Sequence, residues 1–247
     1  IHYHFKKNGG QASARNYGIH ESKGTYISFL DADDLWLVDK LAQQIEELEI
    51  HQPDFSYGLG YYYYPEKAEP LEAYDWISGK MTGAAFFKAL YHSCAVNTNT
   101  VLVKKSLFQT VGYFDESEIL RGTEDWDLWL RLSKYGKVGF CNDVLMEYLV
   151  RPGSKTSNRL RRLDQMKKIM NRYKHYVRRH NMWTAFQADG RLEVGYAEYF
   201  AEEKQFLRAS WHQIKGFLYN PSVRNLKATA AFVVHGIQQQ RNSKETV

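Results

Sequence analysis

Two groups of acids hold the residues of this 247-residue chain whose types and spacing could do chemistry: Asp31-Ala32-Asp33-Asp34 and Glu124-Asp125-Trp126-Asp127. Carboxylates packed this closely repel one another and raise each other's pKa unless a cation offsets the charge. Hard oxygen ligands of this kind suit Mg²⁺ or Mn²⁺, usually beside substrate phosphates, where the metal neutralises a diphosphate leaving group. A structural role competes with that one: Asp34 caps a following helix, and its neighbours favour the helix's positive end. In the second group, Asp125, Leu128, Trp129 and Leu132 share one helical face, which sets a carboxylate beside apolar and aromatic groups. Partial desolvation there would lift the carboxyl of Asp125 towards the working pH of a general base. Helix-end chemistry again competes, with Thr123 as the cap and the acids in the first turn.

These residues need elements to hold them. Tyr26 to Leu30 is a short, mostly apolar run suited to a buried strand, and it ends abruptly in the first acidic group. Ligands of open α/β sheets bind at the carboxyl ends of strands, so this is where a site is expected. Around it the pattern alternates. Ile1 to Phe5 reads as the end of a strand, and Gln11 to Ser22 as a helix stopped near Gly24. Val38, Leu41, Ala42, Ile45 and Leu48 form an apolar helical stripe, and Phe55 to Tyr64 is β-prone. A loop is expected over Pro65 to Lys80, a strand over Thr98 to Val103, a helix over Glu124 to Tyr135, and one or two strands over Val138 to Val150. The alternation predicts an α/β fold, a mixed sheet flanked by helices. From Asn158 the texture changes to long basic helices, with Gly190, Asn220 and Pro221 as breaks. The Pro-Gly of Arg151 to Asn158 is the hinge, so a catalytic domain over 1–157 and a helical region over 158–247 are expected. Leu160, Leu163, Met166, Ile169, Met170 and Tyr173 recur at helical spacing and are expected to pack onto the catalytic domain.

Charge divides the chain along the same line. Residues 151–247 hold 19 Lys and Arg against 7 Asp and Glu, whereas residues 1–150 hold 14 against 21. The acidic front suits a cation-dependent site, and the basic rear suits an anionic surface. No recognised nucleic-acid motif accompanies that charge, so no nucleic-acid partner is expected. Two cysteines, Cys94 and Cys141, with no metal-type spacing argue against a disulfide framework or a structural zinc, and for a cytoplasmic setting. No stretch approaches the roughly 20 apolar residues of a membrane span.

In their order along the chain, several segments together resemble family 2 glycosyltransferases with the GT-A fold. They are Asn8-Gly9-Gly10 through Ser13-Ala14-Arg15-Asn16, Gly24 through Ile27 to Asp34, and Val111-Gly112-Tyr113-Phe114-Asp115-Glu116. Glu124 to Leu132 follows, and then Tyr148 with Arg151 and Gly153-Ser154. The resemblance implies a GT-A-like, Rossmann-like mixed sheet over roughly residues 3–157. It implies that Asp33 binds Mg²⁺ or Mn²⁺ and that Asp31 contacts the ribose or the metal. Arg15 becomes a donor contact and Asp125 the base that deprotonates the acceptor hydroxyl. Glu124 and Trp126 then shape the acceptor pocket, and Arg151 and Ser154 lie where a loop closes over the donor diphosphate. The implied partners are a nucleotide-sugar donor and a saccharide or lipid-linked acceptor. For the basic C-terminal helices, which the resemblance does not cover, peripheral contact with anionic lipid at the inner face of the membrane is the alternative to packing on the catalytic domain.

The implied reaction is a single displacement that inverts the anomeric carbon, in polysaccharide or glycoconjugate biosynthesis. Two departures stand out. Family members carry a base-binding strand and helix upstream of the Asn-Gly-Gly segment, and only seven residues precede Asn8 here, so that segment is expected to be missing. Val38 also stands where the family often has proline. The residues by themselves leave two other readings open, a two-carboxylate glycoside hydrolase and a non-catalytic binding or scaffolding fragment.

Overall fold

The computed structural model describes residues 2–64, 71–74, 83–94, 96–150 and 158–221, together with Thr229 and Val234. It divides into two units, Ile1–Ser154 and Lys155–Val247.

The first unit is a mixed sheet with helices on it. After α1 (Gly10–Glu21) come β1 (Tyr26–Ser28), β2 (Leu35–Trp36), α2 (Lys40–His51), β3 (Phe55–Tyr63), β4 (Leu71–Tyr74) and α3 (Gly83–His92). A 3-10 turn (Thr98–Thr100) then leads through β5 (Leu102–Lys104) and α4 (Leu107–Val111) to α5 (Glu124–Tyr135) and β6 (Val138–Leu149). The strand order is β1-β5-β3-β6-β2, and β4 pairs with the far half of β3. Among the described residues only the β3–β6 pair is parallel. The mixed sheet flanked by helices is the fold class that the alternation of patterns led one to expect.

The core lies between the sheet and the pair α3 and α5. Phe55 and Tyr57 of β3 meet Phe86 of α3 at ring-centroid distances of 6.1 and 5.1 Å. Leu128, Trp129, Leu130 and Leu132 of α5 are all fully buried. Burying such side chains contributes on the order of 1.5–3 kcal/mol each, so α5 is anchored strongly enough to hold the acids of its first turn in place.

Several elements differ from expectation. Residues 2–9 form no strand; the segment is exposed and pairs with no strand of the described sheet. Of Pro65 to Lys80, expected as a loop, only residues 71–74 are described, and they form β4, which pairs antiparallel with the preceding β3. Thr98–Thr100 is a 3-10 turn rather than the start of a strand, because the Asn97 side chain accepts from the Asn99 N–H at 2.8 Å and ties the backbone into a turn. In α2 the buried face is Lys40, Gln44 and Leu48, while Val38, Leu41 and Ile45 are exposed. That helix is turned by its polar groups: Lys40 Nζ donates to Ser28 Oγ (2.9 Å) and Gln44 Oε1 (2.6 Å), and Gln44 Nε2 donates to Ser56 Oγ (3.0 Å) and the Thr100 carbonyl (2.8 Å).

The second unit contains α6 (Arg159–His180), α7 (Met182–Glu202) and α8 (Phe206–Tyr219). Leu163, Ile169, Met170 and Tyr173 of α6 are buried. Gly190 is not a break but the middle of α7. A Cβ there would come within 2.9 Å of Asn220 Cβ and 3.1 Å of the Gly216 carbonyl, so glycine is what lets α8 lie this close. The helices break at Asn181, whose side chain caps α7 by accepting from the Thr184 N–H (3.0 Å), after Glu202, and, as expected, at Asn220 and Pro221, where α8 has ended. No helix among the described residues is long and apolar enough to cross a membrane.

Candidate functional site

The site starts from the way α1 begins. Gly10 has φ of 88°, a left-handed conformation that favours glycine, and its N–H donates to Asn8 Oδ1 at 3.0 Å. The helix then carries Ser13, Arg15 and Asn16 towards the sheet. Asn16 uses its amide as a peptide would, donating to the Phe114 carbonyl (2.9 Å) and accepting from the Phe114 N–H (2.9 Å). Its Nδ2 also donates to Glu116 Oε1 (2.8 Å), which holds the Glu116 carboxyl below its ordinary pKa. The Ala-Arg-Asn and Tyr-Phe-Asp-Glu segments are therefore two halves of one clamp.

Arg15 comes out of that clamp between the two acidic groups. Its Nη2 donates to Asp31 Oδ1 at 2.7 Å, its Nη1 lies 3.9 Å from Glu124 Oε1, and its guanidinium lies 5.5 Å from the Phe114 ring centroid. The strand end Asp31–Asp34 forms a turn closed by the Asp34 N–H donating to the Asp31 carbonyl (3.1 Å). Its three carboxylates point to different fates. Asp31 is a third exposed and paired with Arg15, and Asp33 is exposed at the tip. Asp34 is 5% exposed; its Oδ1 accepts the Leu149 N–H (2.9 Å) and its Oδ2 accepts from Asn99 Nδ2. Burial is the main cause that raises the Asp34 pKa to about 6, with Asp33 and Asp31 adding repulsion and the two hydrogen bonds opposing it. Asp34 caps no helix, because β2 follows it and α2 begins only after Asp39. It fastens the turn to the end of β6.

The second acidic group divides in the same way. Asp127 is fully buried and paired with Arg131 at 2.8 Å, and Arg131 also donates to the Val111 (2.6 Å) and Tyr113 (2.8 Å) carbonyls. Glu124 is buried and accepts the Gly122 N–H. Trp126 is buried too, and its Nε1 donates to the Leu90 carbonyl at 2.7 Å, which joins α5 to α3. Thr123 makes no side-chain cap; its hydroxyl donates to the Leu120 carbonyl instead. Asp125 is half-buried, with Oδ1 accepting the Trp126 N–H (2.7 Å) and Oδ2 accepting from Thr98 Oγ1 (3.1 Å). Burial pushes its pKa up, Glu124 adds to the rise, and Arg15 with the two hydrogen bonds holds it back. A carboxylate poised in this way can take a proton from a hydroxyl.

The structure thus brings Arg15, Asp31, Glu124 and Asp125 together around one guanidinium, with Asp33 on the same turn as Asp31. Arg151 and Ser154, expected near the diphosphate, lie outside the described residues. Sequence reasoning missed Thr98, Asn99 and Asp34 as the holders of these acids. Asn97-Thr98-Asn99-Thr100 was the available signal, since such side chains compete for backbone groups and favour turns over strands. Among the described residues no three His, Cys, Asp or Glu side chains gather into a metal cage. The donor set nevertheless fits Mg²⁺ or Mn²⁺ in its usual manner, one or two carboxylates completed by substrate phosphates. Asp33 and the second oxygen of Asp31 are the groups in question.

The model of the glycosyltransferase like family 2 matches residues 2–154. An uncharacterised glycosyltransferase of Rickettsia typhi is 33% identical over 172 residues, which cover 67% of this chain and 52% of the relative. A UDP-Glc:alpha-D-GlcNAc-diphosphoundecaprenol beta-1,3-glucosyltransferase of Escherichia coli is 30% identical over 164 residues, covering 65% of this chain and 60% of the relative. The chain spans about half the length of the curated relatives it matches. Among solved structures, S. aureus TarS 1-349 in complex with UDP-GlcNAc aligns with a TM-score of 0.46 at 13% identity, over 85% of this chain and 72% of that one.

Proposed function

Because this chain belongs to the glycosyltransferase like family 2, we propose that it supplies the donor–metal turn and the catalytic base of a transferase moving a sugar from a nucleotide-sugar to an acceptor hydroxyl. The observation that carries this reading is Arg15, which pairs with Asp31 at the strand end and reaches Glu124 beside Asp125. It links the two acidic groups into one site, where either group alone would serve as ordinary helix-end or turn chemistry.

In this reading the acceptor oxygen attacks the anomeric carbon as its proton passes to Asp125. The bond from that carbon to the diphosphate oxygen breaks, and the nucleoside diphosphate leaves. One displacement inverts the configuration. Mg²⁺ or Mn²⁺, held by Asp33 with help from Asp31, would offset the charge of the departing diphosphate. Arg15 holds Asp31 in place and keeps Asp125 ionised enough to accept a proton. Trp126 and Glu124 fix the start of α5 and so the aim of Asp125, next to the acceptor side. The named activity of the Escherichia coli relative makes UDP-glucose the first donor to try and a lipid-diphosphate-linked saccharide the first acceptor class.

Asp125→Asn tests the reading. With UDP-glucose and Mn²⁺, turnover to UDP should fall by about 10²–10⁴-fold, the usual contribution of a general base, while UDP affinity stays unchanged. Normal turnover in that variant would remove Asp125 as the base.

A further inference from the structure

We propose that Thr98 and Asn99 are positioning residues: one buried 3-10 turn sets the aim of the catalytic base through Thr98 and the shape of the donor-binding turn through Asn99. The inference rests on the transferase reading above and adds to it how the two halves of the site are held in register.

The two residues are adjacent and serve opposite halves. Thr98 Oγ1 donates to Asp125 Oδ2 (3.1 Å), and the Asp125 Oδ1 takes the Trp126 N–H, so each carboxylate oxygen has one fixed donor. Asn99 has no exposed surface and uses its whole amide: Oδ1 accepts the Asp31 N–H (2.6 Å), and Nδ2 donates to Asp34. Its carbonyl accepts from Trp36 Nε1 (2.9 Å), which ties the far side of the same acidic turn. The turn itself is fixed at both ends. The Asn97 side chain accepts the Asn99 N–H, the Asn97 carbonyl accepts from Thr100 N (3.0 Å) and Oγ1 (2.8 Å), and the Thr100 carbonyl accepts from Gln44. Buried amides with every group satisfied are rigid, because any shift leaves a desolvated polar atom unpaired.

The charged and titratable groups around Asp125 are Arg15 from α1, Glu124 on its own helix and Cys94 from the segment after α3. The Thr98 hydroxyl is the side-chain hydrogen-bond donor beside them, and it favours the ionised carboxylate. Its removal should change the protonation of Asp125 without touching donor binding. Removal of the Asn99 amide should do the reverse.

The test measures the pH dependence of UDP-glucose turnover with Mn²⁺, and UDP affinity, in the full chain. Thr98→Val should move the acidic limb of kcat/KM upward by about one pH unit, the worth of one lost hydrogen bond to a carboxylate, with UDP affinity unchanged. Thr98→Ser should restore the limb. Asn99→Ala should weaken UDP binding about tenfold, also from one lost buried contact, and leave the limb in place. Thr98→Ala and Asn99→Asp, checked by circular dichroism, replace any variant that does not fold. An unmoved limb in the Thr98 variants, or unchanged UDP affinity in the Asn99 variants, would overturn the proposal. If Asp125→Asn turns over normally, it is the assignment of Asp125 as the base in the reading above that has failed. If Asp125→Asn is inactive while Thr98→Val keeps its limb, the failure belongs to this inference alone.

Discussion

Lys40 is 1% exposed, and among the described residues its partners are a hydroxyl, an amide and a ring: Ser28 Oγ, Gln44 Oε1 and, at 4.5 Å, the Trp36 ring. Burial lowers its pKa to about 7, with Cys141 pulling weakly the other way. The unfolded chain, with an ordinary value near 10.5, therefore binds more protons between pH 7 and 10, so stability should rise with pH across that window. At about 1.4 kcal/mol per unit, the gain from pH 7 to pH 9 is on the order of 2–3 kcal/mol. Urea unfolding at these two pH values should show that gain in the wild type and its loss in Lys40→Met; equal slopes would mean that Lys40 is solvated. At this scale the sequence reported acids at local features and not the distant partners that hold them. Asp31, Asp33 and Asp125 could be picked out because a strand end and a helix start are local features. The inward turn of Asp34, the clamp made by Asn16 and the supports Thr98 and Asn99 depend on partners far away in sequence, which no local pattern reports.

Elements were easiest to read where local propensity and burial agree. α5 runs over Glu124–Tyr135 as its pattern predicts, because acids in the first turn, a continuous apolar face and Gly136 at its end all favour the same helix. α2 was placed correctly but its buried face was not, since a hydrogen-bonded Lys-Gln pair outweighed an apolar stripe. Gly190 misled in the opposite direction. Glycine inside a helix suggests a break, yet here it permits close packing of α7 on α8. Gly190→Ala should therefore destabilise the helical unit: overpacking costs about 1–3 kcal/mol, against a gain of about 1 kcal/mol in helix propensity. A lower urea midpoint for the helical signal is the expected result, and a higher one would show that the crossing has room for a methyl group.

Across the whole molecule, an acidic α/β unit that carries the candidate site is followed by a basic helical unit. Residues 1–150 have a net charge of −7 and residues 151–247 of +12. The family resemblance is legible in the sequence because it rests on an ordered set of motifs over roughly residues 3–157, and the family model covers nearly the same stretch, residues 2–154. That membership sets aside the glycoside hydrolase reading. The donor and the acceptor are proposals prompted by the Escherichia coli relative, the metal is a proposal that the carboxylates of the acidic turn fit, and it is the metal on which the role of that turn depends. UDP affinity of the full chain and of Asp33→Ala, each titrated calorimetrically in Mn²⁺ and again in EDTA, tests that role most directly. The account predicts that the wild type binds UDP more tightly with Mn²⁺ and that Asp33→Ala loses only this metal-dependent part. Equal weakening in Mn²⁺ and in EDTA would contradict it and leave Asp33 with no part in holding the metal.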